Sequence, residues 1–171
     1  MSDRHQHSRG IDTVEHLTEH LREILPPASV ILCVGNQLNG DDGAGPEIAR
    51  RLAGRLPWRV FDVQGVPENF LMKIVDARPE TVLVIDALDF DAAPGSVELL
   101  SAEGVTGQGP STHGPAPIAF LDILKMLHPC RRAVLGIQPA QTEFGREMTD
   151  PVKGAVDFVC RALLQAAEAA G

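Results

Sequence analysis

Short apolar runs alternating with helical stretches constrain this chain most. Thr81 to Ile85 is an unbroken apolar, β-branched run that stops at Asp86. A run with no polar alternation reads as a strand covered on both faces, the kind found in parallel sheets. Val30 to Val34 has the same character and enters a loop at Gly35. Trp58 to Val63 and Arg132 to Ile137 are further strands, while Ser96 to Leu100, after the turn Pro94-Gly95, alternates as an edge strand does.

Helical spacing fills the intervals. Val14, Leu17, Leu21 and Leu25 fall on one face of a helix over Asp12 to Leu25, which Pro26-Pro27 ends. Pro46 to Leu56 follows as a helix with Pro46 near its first turn. Pro67 to Asp76 turns Phe70, Leu71, Ile74 and Val75 inward, and Ile118 to Leu127 and Pro151 to Ala169 are the remaining helices. A Gly- and Pro-rich loop spans Gly104 to Pro117. Alternation of this kind predicts an α/β fold, a three-layer αβα sandwich around a mostly parallel, twisted sheet of about five strands. Residues 1–29 are read as an N-terminal extension whose short helix packs on the outside, and 30–171 as one domain.

Composition removes several classes of function. With 171 residues, 44% hydrophobic and 22% charged, the chain can bury a core of its own. The formal net charge of −8 disfavours nucleic acid, whose backbone calls for clustered Lys and Arg. Arg50, Arg51 and Arg55 read as the solvated face of one helix. An acidic body suits a basic peptide instead. Cys33, Cys130 and Cys160 are scattered, neither a disulfide framework nor a zinc knuckle, and fit a reducing cytoplasm. The polar N-terminus lacks the apolar core of a signal peptide, and no run reaches the ~20 apolar residues of a membrane span. His5 and His7 lie in that tail and are given no role.

Three loops at or near the carboxyl ends of the predicted strands carry metal-capable side chains. They are Gly35 to Gly43 with Asp42, Val84 to Ala87 with Asp86, and Ser111 to Gly114 with His113. Two carboxylates and an imidazole suit a borderline divalent cation and leave positions open for substrate or water. Each has a plainer reading. Asp42 caps the helix beginning near Gly45, the better explanation of that residue alone. His113 is a surface loop residue. Asp86 closes a buried strand, where a carboxylate needs a partner or a task.

Rival chemistries fit less well. The glycines around Asp42 resemble a phosphate cradle, yet there is no GxxxxGK[ST], no nearby Lys, and the adjacent Asp41 and Asp42 repel phosphate. Cys33 sits inside a strand and Cys130, two residues from His128, has no evident orienting group, so all three cysteines read as structural. Ser111 beside His113 lacks a nucleophile elbow.

From about Ile31 to Arg161 the chain resembles the hydrogenase maturation endopeptidases, in particular the type serving hydrogenase 3 of formate hydrogenlyase systems. The likeness is carried by Cys33-Val34-Gly35-Asn36 through Gly40-Asp41-Asp42-Gly43-Ala44-Gly45-Pro46 and by Pro67-Glu68-Asn69. It continues through Ile85-Asp86-Ala87, Thr112-His113 and Leu135-Gly136-Ile137-Gln138-Pro139. The resemblance implies an endopeptidase that removes the C-terminal extension of a [NiFe] hydrogenase large-subunit precursor after nickel insertion. It implies that nickel is carried by the precursor and bound transiently, with no tightly bound metal of the enzyme's own. The family's metal-contacting positions fall on Asp42, Asp86 and His113, and the first of them takes either Glu or Asp. Those three are then both the catalytic and the metal-binding residues. The glycines around Asp42 let backbone approach the substrate, and Glu68 and Asn69 either support the site or cap a helix. The partner is the precursor, with neither nucleic acid nor membrane, and the protease is expected to act as a cytoplasmic monomer. Two other readings use the same ligands: a nickel-sensing chaperone that binds the precursor without cutting, and a hydrolase with its own tightly bound metal.

Overall fold

The computed structural model describes residues 11–101 and 116–170, with side chains for 11–100 and 119–170. Five strands form one sheet: β1 (Ser29–Val34), β2 (Arg59–Gln64), β3 (Thr81–Ala87), β4 (Val97–Ser101) and β5 (Arg131–Ile137). Their spatial order is β2-β1-β3-β5-β4, parallel except for β4, which runs antiparallel to β5 at the edge. Every residue of β1 and β3 is buried, as uninterrupted apolar runs require.

Side chains alternate across the strands and so build two cores. Ile31, Cys33, Leu83, Ile85 and Leu135 face one layer, made by α1 (Val14–Ile24), α2 (Ala44–Leu52) and α5 (Asp150–Glu168). Val30, Leu32, Val82, Val84 and Val134 face the other, made by α3 (Leu71–Ala77) and α4 (Ala116–Leu127). The result is the three-layer α/β sandwich that the alternation predicts. Because α2 and α3 lie on opposite faces, the chain reverses direction across the sheet between β1 and β3. A crevice opens outside the carboxyl ends of strands at such a reversal.

The N-terminal helix is tied into this body. Thr13 caps it by accepting the His16 N–H through Oγ1 at 3.1 Å. Leu17 and Leu21 are fully buried in the same core as α5, each contributing about 1.5–3 kcal/mol through burial. Arg22 donates to the Gln165 carbonyl at 3.0 Å, and Trp58 Nε1 donates to the Pro26 carbonyl at 3.1 Å.

Two helices differ from their sequence-based limits. Helix α2 starts two residues before Pro46, after a 3-10 turn over Gly40–Gly43, and stops at Leu52. It stops there because Ala53 leaves helical backbone (ψ 120°) and Gly54 takes φ +70°. Pro67 to Asp76 divides into a 3-10 turn, Pro67–Phe70, and then α3, in which Ile74 is fully buried. Glu68 and Asn69 are exposed on that turn, and no side chain caps it.

Arg50 and Arg51 do more than face solvent. Both donate to Glu47 one turn back, Arg50 at 2.8 Å and Arg51 at 2.7 Å. Arg51 also reaches Asp157, joining α2 to α5. The Arg50 hydrogen bond leads the effects that hold the Glu47 carboxyl at about 2, against an ordinary 4.5. A carboxyl held low stabilises the fold above its unfolded value and loses that contribution as pH falls through the folded one. The stability advantage of the parent over Glu47→Gln is therefore expected to be full above a pH of about 4.5 and gone near 2. Urea unfolding of both proteins across that range checks it; an advantage unchanged at the acid end contradicts it.

Candidate active site at the carboxyl edge of the sheet

The loop leaving β1 is built by its own backbone. Gly35 takes φ +143°, and a Cβ there would lie 1.9 Å from the Asp42 carbonyl oxygen, so only glycine fits. Gly45 is fixed by proximity: a Cβ would lie 2.2 Å from the Val34 carbonyl oxygen, because α2 begins directly over the end of β1. These glycines serve close approach within the chain itself. The 3-10 turn they permit lies against β3.

Two neighbouring aspartates on that turn have different tasks. Asp41 is fully buried and points away toward the segment after β5. Its carboxylate accepts from Ala140 N at 2.8 Å, Gln141 N at 3.1 Å, Thr149 N at 2.6 Å and Thr149 Oγ1 at 2.9 Å. Backbone bonds from Gly40 N to the Arg146 carbonyl (3.1 Å) and from Asp41 N to the Gln141 carbonyl (2.9 Å) run beside it. Asp41 thus clamps two loops that meet at one edge of the sheet.

Asp42, 1% exposed, turns back to the loop that leaves β1. Its Oδ2 accepts the Asn36 N–H at 2.8 Å, and its carbonyl accepts the same N–H at 3.1 Å. The capping reading of Asp42 gives way here: Gly43 occupies the N-cap of α2, and no side chain caps that helix.

Asp86 is fully buried on β3, paired across the ladder with Gly136 of β5. Residues 83 and 85 face the α1–α2–α5 layer, so residue 86 takes the opposite face. The loop beyond it is pinned by Gln138. Gln138 Oε1 accepts from Phe90 N (2.8 Å) and Ala92 N (3.3 Å), while Nε2 donates to Asp89 Oδ1 (3.1 Å). Asp42 thus follows the end of β1, and Asp86 is the penultimate residue of the adjacent parallel strand β3, where the sheet reverses. His113, with Ser111 and Thr112, lies outside the described residues, as do His5 and His7. Among the described residues no three His, Cys, Asp or Glu side chains are grouped to hold an ion.

The thiols are poor nucleophiles. Cys33 and Cys160 are buried and Cys130 is partly so, all three free. Burial pushes each thiol up, Cys160 to about 11 and Cys33 further still. A thiol in such surroundings stays protonated at neutral pH.

Sequence reading missed Asp41, Thr149 and Gln138 as builders of the site. Asp41 and Gln138 stand inside the quoted motifs, so the signal was present without a task attached. Thr149 had none, because its partner lies far away in the chain.

Fold and site together define a doubly wound α/β protein with buried carboxylates at the reversal of its sheet. The chain belongs to the hydrogenase maturation protease family, whose HycI model matches residues 44–166. It is 35% identical over 142 residues to the Hydrogenase 3 maturation protease of Escherichia coli K12, covering 78% of this chain and 87% of that one. The crystal structure of a Hydrogenase 3 maturation protease superposes with a TM-score of 0.70 at 34% identity, covering 81% of this chain and 89% of that one. The solution structure of the endopeptidase HycI from Escherichia coli gives 0.72 at 35% identity, with 80% and 88% covered. A [NiFe] hydrogenase maturation protease HycI from Thermococcus kodakarensis KOD1 shares the fold, with a TM-score of 0.75 at 20% identity and 87% and 99% covered. The chain is a peptidase of hydrogenase maturation. Among its described residues no helix is long and apolar enough to cross a membrane.

Proposed function

We propose that this peptidase removes the C-terminal extension of a [NiFe] hydrogenase large-subunit precursor, and that it recognises nickel already installed in that precursor. The observation supporting this reading is the burial of two carboxyl side chains, Asp42 after β1 and Asp86 at the carboxyl end of the neighbouring β3, a ligand type suited to a cation. His113 supplies the third ligand. The three side chains complete the coordination of the client's nickel and so anchor its tail beside the site. A water polarised by the cation, or deprotonated by Asp42, then attacks the scissile carbonyl; the C–N bond breaks, and the tail leaves as an amine that takes up the proton of the water. Nickel acts as a checkpoint because a precursor without it lacks the element that docks. The proposed setting is the cytoplasm, which suits three free thiols, and the proposed acting form is a monomer.

Purified chain and nickel-loaded precursor should give a product shorter by the tail, read by mass spectrometry. His113→Ala should give no such product while its circular dichroism stays that of the parent. Cutting of nickel-free precursor at the same rate would remove nickel from the recognition step. Binding of the precursor without any loss of mass would point to a chaperone instead.

A further inference from the structure

The geometry points to a second divalent-cation site, on α1: we infer that His16 and His20 form a two-imidazole chelate for a borderline ion such as copper(II) or nickel(II). The two residues are one helical turn apart, on the flank of a helix whose other side is fixed by buried Leu17 and Leu21. Their Nε2 atoms stand 2.9 Å apart, with ring centroids at 4.7 Å. Two nitrogens each about 2.05 Å from one ion and at right angles are also about 2.9 Å apart, whereas a tetrahedral ion needs about 3.3 Å. The spacing thus matches neighbouring corners of a square plane or octahedron, the geometry copper(II) and nickel(II) favour.

The surroundings support ligation. Both imidazoles reach solvent, and the His20 side chain is 45% exposed, so water can fill the remaining positions. An ion displaces the hydrogen shared by the two Nε2 atoms, and lies to one side of the line between them, once each ring carries its proton on Nδ1. Glu23 Oε2 stands 4.0 Å from His20 Nδ1, on the side where a carboxylate favours that tautomer. The helix start is already ordered by the Thr13 cap, so little is lost in arranging the pair.

The test uses the full chain carrying His5→Ala and His7→Ala, which removes the other histidines of the N-terminal segment. Titration with copper(II) chloride, followed by calorimetry and electron paramagnetic resonance, should reveal one ion coupled to two nitrogens, apart from any ion at the sheet edge. His16→Ala or His20→Ala should weaken binding about tenfold or more and remove one nitrogen from the spectrum, with helicity unchanged. Asp86→Asn should leave this ion in place, which separates it from any ion at the sheet edge. Zinc(II) should bind more weakly than copper(II). Unaltered affinity and spectrum in the His16→Ala/His20→Ala double variant would overturn the site, as would no binding by the parent; the histidines would then be a stacked surface pair and nothing more.

Discussion

Asp86→Asn is expected to leave the precursor uncut while the protein stays folded. The substitution keeps shape and removes charge from a side chain that has no exposed surface. Loss of groups that merely orient metal ligands costs about 10- to 100-fold, so loss of a ligand's charge should lower processing by on the order of a hundredfold or more. The fold should be retained, because the substitution conserves the volume of the side chain. Processing is read by the fraction of precursor shortened with time, and stability by Tm. A Tm well below the parent's, with processing retained, would make Asp86 a structural strut.

Asp41→Ala is expected to be the most destabilising change at the same edge. The carboxylate accepts three backbone N–H groups and the Thr149 hydroxyl, drawing together segments about a hundred residues apart in the chain. Each buried donor left without its acceptor costs about 1–3 kcal/mol. Water entering the space left by the side chain recovers part of that, so a net loss of about 3–5 kcal/mol follows, and Tm should fall by on the order of 10 °C. Asp42→Asn, next to it, keeps an acceptor for the Asn36 N–H and should cost less than Asp41→Ala. Thermal unfolding of the two variants side by side checks the contrast. Equal losses would mean that the two aspartates share one structural role.

The pair shows where sequence stops being informative. In Gly40-Asp41-Asp42-Gly43 the carboxylates are chemically alike, and nothing local says that one faces inward as a clamp and the other back to the loop that leaves β1. The deciding partners, Ala140, Gln141 and Thr149, lie far downstream, and three of the bonds come from backbone N–H groups, which any residue but proline provides. Arg51 is similar: its tie to Asp157 spans two helices that only the packed fold brings together. The sheet was legible for the opposite reason. Thr81 to Ile85 and Val30 to Val34 state their burial locally, and the turn Pro94-Gly95 announces an edge strand. Helix limits followed less closely, since the end of α2 depends on backbone angles at Ala53 and Gly54. Asp42 and Asp86 stand out from the sequence only as candidates, on loops at strand ends that in a parallel sheet share one edge.

Crystals of the chain grown with nickel chloride offer the most direct measurement of the proposed chemistry. Anomalous scattering should place one ion with a carboxylate oxygen of Asp42, one of Asp86 and a ring nitrogen of His113 each about 2.0–2.2 Å away. An ion held by only two of them, or side chains too widely separated to share one, would contradict the proposed grip on the client's nickel.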